Sequence, residues 1–183
     1  TRQSAYSAQE TLREGYLTLE GGHRVGVCGT LVLRGGEPYS MKDVTSLNIR
    51  VAHDIRMDSA RLLPYLRENL LIIGAPGSGK TTLLRDMVRT LSDGGMRVGL
   101  CDERGEIAAL SAGSCGFDIG ERTDVLSDCP KARAAMILLR CMSPELIAMD
   151  EISEPEDAGA CRSAAYCGVS LLATAHASAA EEL

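Results

Sequence analysis

The run Gly74-Ala75-Pro76-Gly77-Ser78-Gly79-Lys80-Thr81 has the GxxxxGKT spacing of a phosphate-cradling loop. It stands where such a loop must stand, after the apolar residues 70–73 and before a helix-forming stretch. Glycines let the backbone curl so that successive N–H groups point at phosphate oxygens, and the positive end of the next helix adds to them. Residues 74–81, with Thr82 behind them, are the expected nucleotide-binding set. Lys80 is expected to reach the β- and γ-phosphates, and Thr81 to ligate Mg²⁺ through its hydroxyl. The apolar residues 146–149 end in Asp150 and Glu151. Asp150 is expected in the Mg²⁺ shell, and Glu151 is expected to polarise the attacking water. Two adjacent acids favour ATP hydrolysis over a switch-type GTPase, and no Asn-Lys-x-Asp occurs to read guanine.

Two further groups follow strand-like runs. Asp102-Glu103-Arg104-Gly105-Glu106 comes after residues 98–101. Glu103 there competes with Glu151 as the catalytic base; the plainer reading is a solvated acidic loop with Arg104 as internal partner. Thr174-Ala175-His176 follows the last apolar run, and His176 is placed to sense the γ-phosphate or simply to pack locally. Arginines number 16 against 3 lysines, and guanidinium groups make bidentate contacts with phosphates and carboxylates. Arg122, Arg140 and Arg104, in that order, are candidates to act on a neighbouring subunit's nucleotide from loops near the active edge. A structural ion pair is the alternative for each.

The elements that must position these residues alternate. Residues 70–73, 98–101, 146–149 and 169–173 read as strands; 81–91, 131–141 and 155–167 read as helices; 105–123 reads as a polar excursion. Continuous apolar strands between amphipathic helices imply a mostly parallel sheet covered on both faces, an α/β P-loop NTPase of RecA-like type. Residues 1–60 differ. A helix over 1–14 is followed by glycine-punctuated strands at 16–19, 24–28, 30–34 and 44–50, a small α+β segment of hairpins. His23 reads as a solvated turn residue. Residues 59–67 look helical despite Pro64, and the abrupt passage from 67 to 70 suggests a missing or mobile loop. The division expected is 1–60 and 61–183. The chain opens without Met and stops at Glu181-Glu182-Leu183, so it reads as truncated at both ends.

Composition narrows the function. The net charge of −6 argues against a broadly basic nucleic-acid surface, and 3% aromatics, with no Trp, argue against stacking platforms for single strands. No apolar run approaches the roughly 18–20 residues of a membrane span. Seven cysteines, without CxxC, read as small buried thiols rather than a disulfide framework or metal site.

Several long segments in order carry a resemblance. LLIIGAPGSGKTTLLRDMVR, CDERGEIAAL, DIGERTDVLSDCPKA, MSPELIAMDEISEPEDA and GVSLLATAHA, preceded by GGHRVGVCGT and SLNIRVAHDI, resemble the stage III sporulation protein AA family. That family is related to the ATPases of type II and type IV secretion and pilus systems. The resemblance implies a cytoplasmic Mg²⁺-dependent ATPase, with ATP and Mg²⁺ as ligands, in a homo-hexameric ring. It implies peripheral association with the membrane on the mother-cell side. Its implied partners are integral membrane and ring proteins of a channel joining mother cell and forespore, whose assembly or transport it powers; nucleic acid is not expected. Residues 102–106 resemble the acidic box of secretion ATPases, and Glu151 the glutamate of their Walker B segment, though Ile152-Ser153-Glu154 replaces the usual continuation. Thr174 and His176 resemble the histidine box, with Ala177-Ser178 in place of Thr-Asn. Arg140 resembles, one position out of step, an arginine of that family. The competing classes are a nucleic-acid motor ATPase and a non-hydrolysing nucleotide-dependent scaffold.

Overall fold

The computed structural model describes residues 15–19, 21–65, 69–111 and 113–176. The expected helix at 1–14, the suspected break between 67 and 70, and the chain beyond His176 lie outside these residues in whole or in part. Two compact units divide the chain: Thr1–His53 with Ala109–Gly116, and Asp54–Ala108 with Phe117–Leu183.

In the first unit, β1 (Tyr16–Thr18), β2 (Arg24–Arg34) and β3 (Glu37–Arg50) form an antiparallel sheet in the order β1-β2-β3. The two short strands expected at 24–28 and 30–34 are one strand. Gly29 between them is not a turn; it marks a register shift in the β2–β3 pairing. A Cβ on Gly29 would lie 2.7 Å from the Lys42 carbonyl oxygen, so only glycine admits that backbone approach. The turn falls instead at Gly35-Gly36, and β3 starts seven residues earlier than expected. His23 is not simply solvated: its Nδ1 accepts the Ala52 N–H at 3.0 Å.

The second unit holds a wholly parallel five-stranded sheet in the order β4-β8-β7-β5-β6. Its strands are β4 (Asn69–Gly74), β5 (Val98–Asp102), β6 (Thr123–Ser127), β7 (Leu146–Met149) and β8 (Ser170–His176). The helices are α1 (Lys80–Asp93), α2 (Lys131–Cys141) and α3 (Pro155–Tyr166). β6 was not anticipated. Its composition, Thr-Asp-Val-Leu-Ser, is half polar because it is an edge strand and half-buried throughout. The segment expected as a helix over 59–67 is a 3-10 helix, Ser59–Tyr65, containing Pro64, whose ring and missing N–H work against a regular α-helix.

Alternation along the central strands feeds two cores. Leu100, Leu146, Ala148 and Leu172 pack with Leu84, Met87, Val88 and Leu91 of α1. Cys101, Ile147 and Met149 face the other way, onto Ala134, Ala135 and Leu138 of α2 and Ala160 and Ala164 of α3. The small residues of α2 and α3 let both helices lie close to the sheet. The thiols divide differently from expectation: Cys101 is buried, whereas Cys28, Cys115, Cys141 and Cys167 are exposed. Cys141 ends α2 and Cys167 follows α3, where helix ends emerge from the core.

A buried polar contact ties the 3-10 helix to α1. Asp86 accepts the Ser59 backbone N–H at 3.2 Å and pairs with Arg89 at 2.8 Å. Burial alone would raise its pKa, but the Arg89 and Ser59 hydrogen bonds outweigh this and hold it below the usual carboxylate value. A depressed folded pKa stabilises the fold above the unfolded value of about 4 and loses that contribution as pH falls through the folded value. Asp86→Asn should therefore cost about 2 kcal/mol at neutral pH. The difference from the parent in denaturant melts should shrink as pH is lowered below about 4.

Candidate functional site

Parallel strands deliver their C-terminal ends to one edge of the sheet. Gly74 pairs with His176 across β4 and β8, Met149 with Ala173 across β7 and β8, and Cys101 with Met149 across β5 and β7. The loop at 74–81, the 102–106 segment, Asp150-Glu151 and His176 are thus neighbours, although more than 100 residues separate the first from the last.

The loop turns through Ala75 and Ser78, whose N–H reaches the Ala75 carbonyl at 3.2 Å. Gly79 then starts α1 in the left-handed conformation, at φ 92°, and no side chain caps the helix. A 14-residue helix that begins on glycine leaves its first amides without a side-chain acceptor, so its N-terminus suits a phosphate group. Lys80 is buried at 8% exposure. Its ammonium donates to Gly74 O at 2.8 Å, Ala75 O at 2.9 Å and His176 Nδ1 at 3.0 Å. Because an ammonium only donates, Nδ1 is the acceptor and Nε2 carries the imidazole hydrogen. That nitrogen lies 3.3 Å from Glu151 Oε1.

The two acids after β7 are held by hydroxyls. Thr81 donates to Asp150 Oδ2 at 2.7 Å, and Thr174 donates to Asp150 Oδ1. The Thr174 hydroxyl also accepts the Glu151 N–H at 2.8 Å, and its carbonyl accepts the Ile152 N–H. Glu151 sits at φ 54°, a conformation that costs a non-glycine residue about 1–2 kcal/mol. Thr174 supplies the compensation on both sides of it. The sequence placed Thr174 in a sensing box and not in this bracing role; the signal available was a lone hydroxyl inside the apolar run 171–175, and the structure buries it completely.

Asp102 and Glu103 take different parts. Asp102 is buried, and its carboxylate accepts the N–H groups of Glu106, Ile107 and Ala108 at 2.8–3.2 Å. Burial pushes its pKa up, against those hydrogen bonds. Arg85 of α1 donates to the carbonyls of Ile107 and Glu106 at 2.8 and 2.6 Å and stacks over Phe117. Glu103 pairs with Lys131 at 2.9 Å, and Lys131 also reaches Asp157 at 3.4 Å. Burial alone would lower the Lys131 pKa, but the two carboxylates more than reverse it. Lys131, unmarked in the sequence, is the residue that engages this candidate base, and Asp157 shares its ammonium. Arg104 bonds Glu151 Oε2 at 2.6 Å. The cleft is lined by Asp102, Glu103, Arg104, Lys131, Asp150 and Glu151, among others.

Arg122 and Arg140 do not lie on the active edge. Arg122 precedes β6, its N–H bonded to Ser92 Oγ and its carbonyl to the Val98 N–H, at the N-terminal edge of the sheet. Arg140 is in the last turn of α2, which runs back to that same edge and there complements the helix dipole. A strand between 105 and 127, unseen in the sequence, reverses the expected position of the first. Among the described residues no cluster of three His, Cys, Asp or Glu side chains forms a metal cage. The Thr81–Asp150 pair does fit Mg²⁺, which takes few protein oxygens and draws the rest from phosphates and water. Among the described residues, too, no helix is long and apolar enough to cross a membrane.

A family model described as sporulation stage III, protein AA matches residues 1–183. Stage III sporulation protein AA of Bacillus subtilis (strain 168) is 43% identical over 182 residues, covering 94% of this chain and 59% of its own length. Protein SEEDLING PLASTID DEVELOPMENT 1 of Arabidopsis thaliana is 33% identical over 138 residues, covering 73% of this chain and 20% of its own. The chain thus spans about three fifths of the first relative and less of the second. Among solved structures, the pilus retraction motor PilT with bound ADP superposes with a TM-score of 0.64 at 16% identity, covering 95% of this chain and 51% of its own. The Legionella pneumophila ATPase DotB does so with a TM-score of 0.60 at 21% identity, covering 87% and 44%. Both likenesses concern the fold alone, a parallel sheet flanked by helices.

Removing the buried Thr174 hydroxyl strands a half-buried carboxylate oxygen and a half-buried N–H together. Thr174→Val should destabilise the chain by about 2–3 kcal/mol in urea melts, while Thr174→Ser, which keeps the hydroxyl, should cost about 1 kcal/mol or less.

Proposed function

The chain belongs to the sporulation stage III protein AA family, and on that premise we propose that it is a Mg²⁺-dependent ATPase. Its work is to power the assembly of, or transport through, a membrane-spanning channel between mother cell and forespore. The observation that carries the reading is the 2.7 Å bond from Thr81 to Asp150 beside buried Lys80 at an uncapped helix start. A helix N-terminus, an ammonium and a hydroxyl–carboxylate pair together match the parts of an ATP·Mg²⁺ complex: phosphate oxygens for the first two, a hard divalent cation for the third.

In this reading residues 74–82 hold the nucleotide, Lys80 takes the β- and γ-phosphate oxygens, and Thr81 and Asp150 hold Mg²⁺. When bound, Mg²⁺ neutralises charge developing on the phosphoryl oxygens. Glu151 orients the attacking water. Glu103 is the alternative for that task; its carboxylate pairs with Lys131, as that of Glu151 pairs with Arg104. His176, between Lys80 and Glu151, couples phosphate contact to the water-orienting acid. Arg122 and Arg140, on the edge opposite this chain's own loop, act on the nucleotide of an adjacent subunit in a homo-hexameric ring. The ring works in the cytoplasm on the mother-cell side, attached to the membrane through integral and ring proteins of the channel.

Two measurements test this. Lys80→Ala should weaken ATP·Mg²⁺ binding by roughly 10–100-fold in equilibrium titrations, while Glu151→Gln should bind ATP within about threefold of the parent and lose about 10²–10⁴-fold in turnover. Equal affinities for Lys80→Ala and the parent would remove the phosphate-loop assignment. For the shared site, specific activity should rise with protein concentration. Mixing Arg122→Ala and Glu151→Gln subunits should restore turnover that neither variant has alone; co-assembly without restoration would exclude Arg122 from the neighbour's site.

A further inference from the structure

We propose that Arg104 is a positioning residue for Glu151: its guanidinium holds one carboxylate oxygen so that the other is presented to the reaction. The proposal rests on the reading of Glu151 as the group that orients the attacking water. Both oxygens of Glu151 are engaged, and by partners of different kinds. Oε2 accepts from Arg104 Nη1 at 2.6 Å, a short charge-assisted bond. Oε1 lies 3.3 Å from His176 Nε2, and the same imidazole accepts from Lys80. All three hydrogens of the Lys80 ammonium have protein acceptors, so phosphate oxygens must displace at least one of them. The His176 side of Glu151 is therefore tied to an exchangeable contact, whereas the Arg104 side is independent of Lys80.

The segment bearing Arg104 is built to hold still. On its N-terminal side the Asp102 carboxylate gathers three backbone N–H groups, and on its C-terminal side Arg85 grips two carbonyls. The ion pair itself is partly solvated, with side-chain exposures of 54% for Arg104 and 31% for Glu151. Pairs this exposed add little to fold stability. What the contact supplies is the direction of a carboxylate on a residue whose backbone is already constrained to φ 54°.

The test uses the full chain as Arg104→Ala, Arg104→Lys, Glu151→Gln and the double variant Arg104→Ala/Glu151→Gln, each checked for an unchanged melting temperature. Single-turnover hydrolysis and ATP·Mg²⁺ titration are measured for all of them. Arg104→Ala should lower the single-turnover rate by about 10–100-fold, the scale of a misplaced reacting group, with ATP affinity within about twofold of the parent. Arg104→Lys should recover part of the loss. In the Glu151→Gln background Arg104→Ala should cost nothing more, because there is no carboxylate left to aim. An equal loss in that background, or weakened ATP binding with turnover intact, would overturn the proposal by placing Arg104 on another group. Unchanged turnover in Arg104→Ala, with an active parent, would overturn it while leaving the ATPase reading in place. A parent that neither binds nor hydrolyses ATP would instead bring down the reading on which the proposal stands.

Discussion

Asp150 is the point on which the site depends. One carboxylate oxygen takes the hydroxyl of Thr81 from the first turn of α1, and the other takes the hydroxyl of Thr174 from β8. Three pieces of chain far apart in sequence are registered on a single side chain at the end of β7. The same Thr174 hydroxyl accepts the Glu151 N–H, so the strained backbone of the second acid is held by the group that holds the first. A positive φ at a glutamate persists only where its surroundings over-determine it, and here they are a hydroxyl and a carbonyl of one buried threonine.

The sheet makes that convergence possible. β7 and β5 are buried on both faces, with α1 on one side and α2 and α3 on the other. A strand enclosed in this way has little freedom to shift register, because a one-residue slip exchanges its two core faces. Asp102, Asp150 and His176 therefore leave the core at set heights along one edge. Asp102 shows what such an exit can cost. Burial raises its pKa, and three backbone N–H groups are recruited to satisfy it, which turns an acidic strand end into the anchor of the loop that follows.

Charge is handled by pairing across that edge. Lys131 stands at the start of α2, where the helix dipole disfavours a cation, and is compensated by Glu103 and Asp157. Asp157 in turn closes the capping box at the start of α3. Lys131 is thereby shared between two carboxylates, while Glu151 is linked to Arg104 and, through His176, to Lys80.

The residues alone determined the glycine-rich loop at 74–81 between a strand and a helix, the two acids at 150 and 151 that follow a strand, the parallel character of the core and the family. Each rests on local signals: glycine spacing, continuous apolar runs, and motif order along one stretch of chain. The helix 131–141 and the strand 146–149 were legible to the residue, because amphipathic period and apolar run both end in abrupt changes of polarity. Tertiary structure decided what local signals do not carry. β6 is a strand because β5 offers it a partner, not because its own residues demand it; once it forms, Arg122 moves to the far edge. Gly29 looked like a turn and is a bulge, since its requirement comes from the Lys42 carbonyl across the sheet. The exposure of Cys141 and Cys167 depended on where two helices end relative to the core. The partners of Glu103 and Glu151, Lys131 and Arg104, became visible only when the strand order β7-β5-β6 set the segments that follow these strands side by side. Hydrogen bonds between residues 23 to 102 positions apart are consequences of topology, and no spacing in the sequence encodes them.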